Sequence, residues 1–196
     1  MSGDVQVSEL LDRALQIALC GHAGQSRKGD SELPYAVHPT HMALMLARFG
    51  ADVHVQAAAL VHDVAEDCEE WTLEGLAREL GPRVGGIVAE LTEDKSLSWE
   101  QRKLDGIARV GRMSSDAATV KAFDKLHNLE SLRRQLSGGG HPDEVWKYFN
   151  GTPARSLELS RELVEALSAR VDPRLGRALT QSLAAVESAA AAASNS

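Results

Sequence analysis

Histidines and carboxylates crowd one short stretch of this sequence, His62-Asp63-Val64-Ala65-Glu66-Asp67, directly after the apolar run Ala57-Ala58-Ala59-Leu60-Val61. The apolar pattern predicts a helix from about Val53 to Cys68. On it His62 and Glu66 are four apart, Asp63 and Glu66 three, and Asp63 and Asp67 four, so the four polar groups share one broad face. Three carboxylates so placed repel one another, and at the C-terminal end of a helix they also oppose its dipole. A divalent metal held by His and Asp neutralises the crowding; a solvated acidic helix end made of Glu66, Asp67, Glu69 and Glu70 is the other origin of such a string. Two further groups bear on the choice. His38 stands just before Pro39, whose ring fixes the backbone and lets the imidazole project from a helix start. Asp124 lies in Val120-Lys121-Ala122-Phe123-Asp124-Lys125-Leu126-His127-Asn128, on a predicted helix with Val120, Phe123 and Leu126 facing inward, and a buried carboxylate needs a partner. Two imidazoles and two carboxylates form a mixed N/O set suited to Mn²⁺, Fe²⁺, Co²⁺ or Zn²⁺, with room for water and a substrate oxygen. The chemistry is that of a single hydrolytic metal ion.

The elements that must position these groups are helices. Apolar residues recur at helical spacing, as in Leu10, Leu11, Ala14, Leu15 and Ala18 and again in Leu157, Leu163 and Leu167, while alternating β-branched patterns are nearly absent. Thr152-Pro153 and Asp172-Pro173 mark helix starts, and His38-Pro39 and His141-Pro142 read as entries. Gly50, Gly81 before Pro82, Gly111 and Ser137-Gly138-Gly139-Gly140 mark stops. These signals predict about eight or nine helices in an all-α, single-domain bundle over residues 1–183, with C-terminal helices in 152–183. The stretch Gly24 to Val37 reads as a loop, and the Ala-rich residues 184–196 as a tail that frays after a turn or two. A length of 196 residues, 43% hydrophobic, suits one domain with a real core. The net charge of −7 argues against nucleic-acid polymers as partners. No apolar run approaches the ~20 residues of a membrane span, and the first thirty residues do not read as a secretory leader. Cys20 and Cys68 form no CxxC pair, which points to a reducing cytoplasm. The oligomeric state is not written in these patterns.

His38, the His62-Asp63 pair and Asp124 resemble the H…HD…D signature of the HD-domain metal phosphohydrolases, an all-helical family. Gly24-Gln25-Ser26-Arg27-Lys28, Pro34-Tyr35-Ala36-Val37-His38-Pro39, His62-Asp63-Val64-Ala65-Glu66-Asp67 and Lys125-Leu126-His127-Asn128-Leu129 follow in the order of the RelA/SpoT-type (p)ppGpp hydrolase domain. The resemblance covers roughly residues 8–150. It implies a stand-alone small alarmone hydrolase, a cytoplasmic enzyme acting on a small nucleotide, ppGpp or pppGpp. By the same resemblance one Mn²⁺ is held by His38, His62, Asp63 and Asp124, and Glu66 and Asp67 orient and deprotonate the attacking water. Arg27 and Lys28 contact the nucleotide, Tyr35 borders the nucleoside, Asn128 contacts ribose or base, Lys95 and Arg102 serve the pyrophosphate side, and Tyr148 matches an aromatic near the pocket. His22, His41, His54 and His141 are read as structural. Phe123 replaces the family's usual Ala before the last metal Asp, and Ser31-Glu32-Leu33 lengthens the loop before Pro34-Tyr35; base selectivity is the property most exposed to both. The adenine alarmones ppApp and pppApp, NADPH with its ribose 2′-phosphate, and a catalytically silent alarmone-binding protein are the alternatives. An HD-type di-iron oxygenase needs more histidines at suitable spacing than the chain offers.

Overall fold

Small side chains decide how the helices around the His-Asp string assemble. In the helix Val53–Val61, Ala57, Ala58 and Ala59 join Val55, Leu60 and Val61 in being buried. Methyl-sized groups let neighbouring helices approach it from several directions at once. The computed structural model describes residues 8–27, 29–138 and 142–193, which divide into two compact units. The first, through Gln25 and from Pro34 to Thr92, holds α1 (Glu9–Gly21), α2 (Val37–Phe49), α3 (Val53–Val61), α4 (Val64–Asp67), α5 (Leu73–Leu80) and α6 (Pro82–Leu91). Helices α1, α2 and α6 pack on α3.

The second unit, Ser26–Leu33 with the chain from Glu93 onward, holds a ribbon of β1 (Ser26–Arg27) and β2 (Asp30–Pro34, its last residue counted in the first unit). It continues with α7 (Trp99–Arg109), a 3₁₀ turn Val110–Arg112, α8 (Ser115–Ser137), α9 (Pro142–Trp146), α10 (Pro153–Ser168) and α11 (Pro173–Ala193). Its centre is α8, which buries Val120, Phe123, Leu126, Leu129, Leu132 and Leu136 and is covered by α10 and α11. Phe123 is thus a core residue of this unit. No helix among the described residues is long and apolar enough to cross a membrane.

The caps follow the residues that announced them. The Thr152 side chain accepts from the Arg155 amide at 3.2 Å at the start of α10, and Pro173 opens α11. Gly50 ends α2 at φ +95° and Gly81 links α5 to α6 at φ +88°, conformations that a Cβ would strain. Gly111 falls inside the 3₁₀ turn, and His141 lies outside the described residues. Two expectations are corrected. The loop read over Gly24 to Val37 contains the β1–β2 ribbon, whose strands of two and five residues are too short to show a period of two; Gly29, at φ +81°, lies between them. The tail read as fraying from Ala184 stays helical to Ala193. Alanine is the best helix former, and Val186 is fully buried, which ties that end down.

Two packing details carry consequences. Helices α5 and α6 approach so closely that a Cβ on Gly85 would lie 2.5 Å from the Ala77 Cβ and 2.8 Å from its Cα. Backbone on one side leaves no flexible group to give way. In the second unit Glu93 receives Lys103 Nζ at 2.7 Å and Arg102 Nε at 3.2 Å. Burial alone would raise the Glu93 pKa, but Lys103, Lys121 and Arg102 together hold it below its ordinary value of 4.5.

Gly85→Ala is therefore expected to destabilise the protein by about 1–3 kcal/mol, read as a Tm several degrees lower in a calorimetric scan. For Glu93 the unfolded chain binds the proton more readily than the folded one, so its stabilisation is complete above pH 4.5 and lost as the pH falls through the lower folded value. Glu93→Gln should lower Tm by a few degrees at pH 7, about 2–4 °C per kcal/mol, and the gap to the parent should close on acidification towards pH 3. A gap independent of pH would contradict the ion-pair account.

Candidate active site

The helix expected from Val53 to Cys68 is interrupted. It ends at Val61, the chain turns at His62-Asp63, and the single turn α4 resumes at Val64. Asp63 sits at φ −100°, ψ −6°, outside regular helix, and its side chain is drawn aside by two partners. The Tyr35 hydroxyl donates to the Asp63 carboxylate, and Asp63 Oδ2 lies 3.0 Å from His62 Nε2. His62 and the carboxylates therefore do not share one continuous helix face, and the like-charge crowding is spread over a bend.

The His62 ring is oriented from behind. Its Nδ1 lies 2.8 Å from the Ala59 carbonyl oxygen, which can only accept, so Nδ1 carries the hydrogen and a neutral ring has its lone pair on Nε2. That lone pair faces Asp63 Oδ2. Two lone pairs at this distance need a cation between or beside them, a proton or a metal ion, and a histidine fixed through its far nitrogen to a carbonyl is a common metal-ligand arrangement. His38, second residue of α2, is 1% exposed and set by a turn in which its amide donates to the Tyr35 carbonyl at 2.9 Å. Its ring stands 5.3 Å from that of His62 at 65°, with ligating nitrogens of the two within 4.8 Å of each other. The two imidazoles are of the ligand type that suits a divalent ion of the first transition row. Glu66 is half-buried and Asp67 exposed on α4, within one turn of Asp63.

In the second unit, Asp124 and Asn128 are one turn apart on α8. Asn128 Nδ2 donates to Asp124 Oδ1 at 2.6 Å, and Arg27 Nη2 of β1 donates to Asn128 Oδ1 at 2.9 Å. Arginine can only donate and an ionised carboxylate only accept, so the Asn128 amide is oriented without ambiguity. Lys121 and Lys125 flank Asp124. Burial lowers both pKa values, that of Lys125 to about 8, against the opposing pull of Asp124. Lys125 Nζ donates to Ser160 Oγ at 2.7 Å.

The remaining residues named from sequence are placed as follows. Arg102 is engaged by Glu93 and donates through Nη1 to the Leu97 carbonyl at 2.9 Å, while Lys95 is exposed in the turn after α6. Tyr148 is 41% exposed, with Lys147 Nζ 5.3 Å from its ring centre, so it is not the core residue that its helical spacing equally allowed. Lys28 lies outside the described residues. Sequence reasoning passed over His22, buried at 2%, whose ring packs on Tyr35 with centres 4.6 Å apart. A lone histidine in a polar stretch gives no signal beyond its spacing of three from Gln25.

An HD-domain family profile matches residues 14–141. The chain is 36% identical over 151 residues to the guanosine-3′,5′-bis(diphosphate) 3′-pyrophosphohydrolase MESH1 of Xenopus tropicalis, covering 76% of this chain and 82% of that one. It is 34% identical over 167 residues to the protein of the same name from Homo sapiens, covering 83% and 92%. A solved structure described as a metazoan ortholog of SpoT that hydrolyses ppGpp superposes with a TM-score of 0.77 at 29% identity, covering 91% of this chain and 96% of that one. The motif order, the paired imidazoles and these relationships agree: the chain belongs to the HD-domain family, among the RelA/SpoT-type relatives that include MESH1.

Proposed function

We propose that this protein is a divalent-metal-dependent 3′-pyrophosphohydrolase of ppGpp and pppGpp, releasing pyrophosphate and GDP or GTP. The observation that carries the reading is the His62–Asp63 contact at 3.0 Å with His38 beside it, in a chain whose relatives are named for this reaction. In this reading His38, His62, Asp63 and Asp124 hold one Mn²⁺. When bound, such an ion supplies Lewis-acid polarisation and brings the pKa of a water towards neutrality. Glu66 and Asp67 orient the attacking water and one of the two takes its proton, as its oxygen bonds to the 3′-phosphorus and the bond from that phosphorus to the ribose 3′-oxygen breaks. The leaving oxygen takes up a proton to become the free 3′-hydroxyl.

The other residues bind and orient. In an otherwise net acidic protein, Arg27 and Lys28 would bring positive charge to the diphosphates of the nucleotide; Asn128, joined to Arg27, would contact ribose or base, Tyr35 would border the nucleoside, and Tyr148 matches an aromatic near the pocket of the family. Lys95 and Arg102 serve the pyrophosphate side. The hydrolase domain spans both units, since the motif series runs from one into the other. Cys20 and Cys68, both thiols outside any disulfide among the described residues, support a cytoplasmic setting.

Purified protein with MnCl₂ and ppGpp, resolved by anion-exchange chromatography, is expected to give GDP and pyrophosphate in equal amounts. Chelation should abolish turnover and added Mn²⁺ restore it, Asp63→Ala should be inactive, and Arg27→Ala should raise KM about tenfold. A panel of ppGpp, pppGpp, ppApp, pppApp and NADPH ranked by kcat/KM fixes the base and phosphate preference. Binding of ppGpp without turnover under every divalent metal would replace the enzyme with a silent alarmone binder.

A further inference from the structure

The acidic pair sits on an element that cannot hold itself in place. Helix α4 is four residues long, a single turn, far below the length at which an isolated helix persists. Its Glu66 and Asp67 amides both return to the Asp63 carbonyl, at 3.1 and 2.9 Å. The Cys68 amide closes on the Val64 carbonyl at 3.0 Å, and the turn then ends. Something outside must fix the position of the two carboxylates.

That role falls to a pair at the end of α1, the buried His22 and the half-buried Gln25. Gln25 Nε2 donates to the Asp67 carbonyl oxygen at 3.2 Å, capping the short helix with a side chain. Because that carbonyl only accepts, the Gln25 amide is oriented, and its Oε1 must accept from His22 Nδ1 at 2.8 Å. His22 is 2% exposed and locked at the α1 terminus, where its amide donates to the Ala18 carbonyl at 3.0 Å. Its ring face lies on Tyr35, centres 4.6 Å apart, and the Tyr35 amide donates to the Gln25 carbonyl at 2.8 Å. Tyr35 in turn donates to Asp63. One compact set of bonds therefore ties the α4 terminus to the tyrosine that holds Asp63.

We propose that His22 and Gln25 are positioning residues for water activation. The pair acts as a strut that holds the Asp67 peptide, and with it the carboxylates of Glu66 and Asp67, in register with Asp63. This rests on the hydrolase reading above. In that reading neither residue is a nucleotide or metal ligand and both act through the acidic pair, so their loss should depress the chemical step and leave binding alone.

Gln25→Met removes both amide bonds at similar length, His22→Phe keeps the ring on Tyr35 but loses the donor, and His22→Asn keeps an N–H near the Nδ1 position. In the full-length Mn²⁺-loaded protein with ppGpp, Gln25→Met and His22→Phe should each lower kcat about tenfold with KM changed less than about twofold. The double variant should fall no further than the worse single, and His22→Asn should recover most of what His22→Phe loses. Independently of activity, amide hydrogen exchange in residues 63–67 should speed up in Gln25→Met, while MnCl₂ binding measured by calorimetry stays close to the parent value. Parent-level kcat in Gln25→Met, additive losses, or equal losses in His22→Asn and His22→Phe would overturn the strut while leaving the hydrolase reading standing. Absence of turnover in the unaltered protein would strike that reading instead, and unchanged exchange in residues 63–67 would then dispose of the strut as well. If His22→Phe fails to fold, Gln25→Met alone decides through its kcat, KM and exchange.

Discussion

Two lone pairs facing each other organise the first unit. His62 cannot rotate to offer a hydrogen to Asp63, because its only ring hydrogen in the neutral form is given to the Ala59 carbonyl. Asp63 cannot turn away freely, because Tyr35 holds its carboxylate. The 3.0 Å contact between them is thus imposed by groups on the far side of each partner, and only a cation relieves it. The surrounding architecture follows from keeping that contact in place. An alanine-lined α3 lets α1, α2 and α6 close around the chain just before the bend. His38 enters from α2, where Pro39 and the Tyr35–His38 turn fix its direction.

The second unit handles charge differently. The protein as a whole carries −7, yet Lys103, Lys121, Lys125 and Arg102 gather about Glu93 and Asp124. Buried lysines are costly, and the depressed pKa values of Lys121 and Lys125 record that cost. A local excess of cations inside an acidic protein is tolerated where it has anions to meet, and Glu93 meets part of it.

What the sequence made legible were features whose physics is local. Proline at a first helical position, glycine at positive φ and a side-chain oxygen before a helix act within three or four residues, so Thr152-Pro153, Gly50 and Gly81 were readable. The ligand types were readable because few combinations of His and Asp suit a hydrolytic metal. The bend at His62-Asp63 was not, since helical periodicity continues through it and only the distant Tyr35 and the backbone carbonyl of Ala59 reveal it. The ribbon was too short to alternate. Tyr148 was ambiguous because spacing alone cannot tell a core aromatic from an exposed one. Gln25 stood in a motif and His22 read as structural, but their joint role was not readable, because it lies in a carbonyl forty-two residues beyond Gln25.

Asn128 shows why such long-range links matter more than the residue types themselves. Its amide is the one group on α8 that both accepts from Arg27 and donates to Asp124. A carboxylate in that place would attract Arg27 but repel Asp124, and a lysine would do the reverse. An amide satisfies a cation on one side and an anion on the other without adding charge between them. The positions of Arg27 and Asp124 are consequently not independent, since moving either breaks a bond of 2.9 or 2.6 Å to the same side chain. In each unit, then, a neutral amide or a backbone carbonyl settles the geometry that the charged groups express.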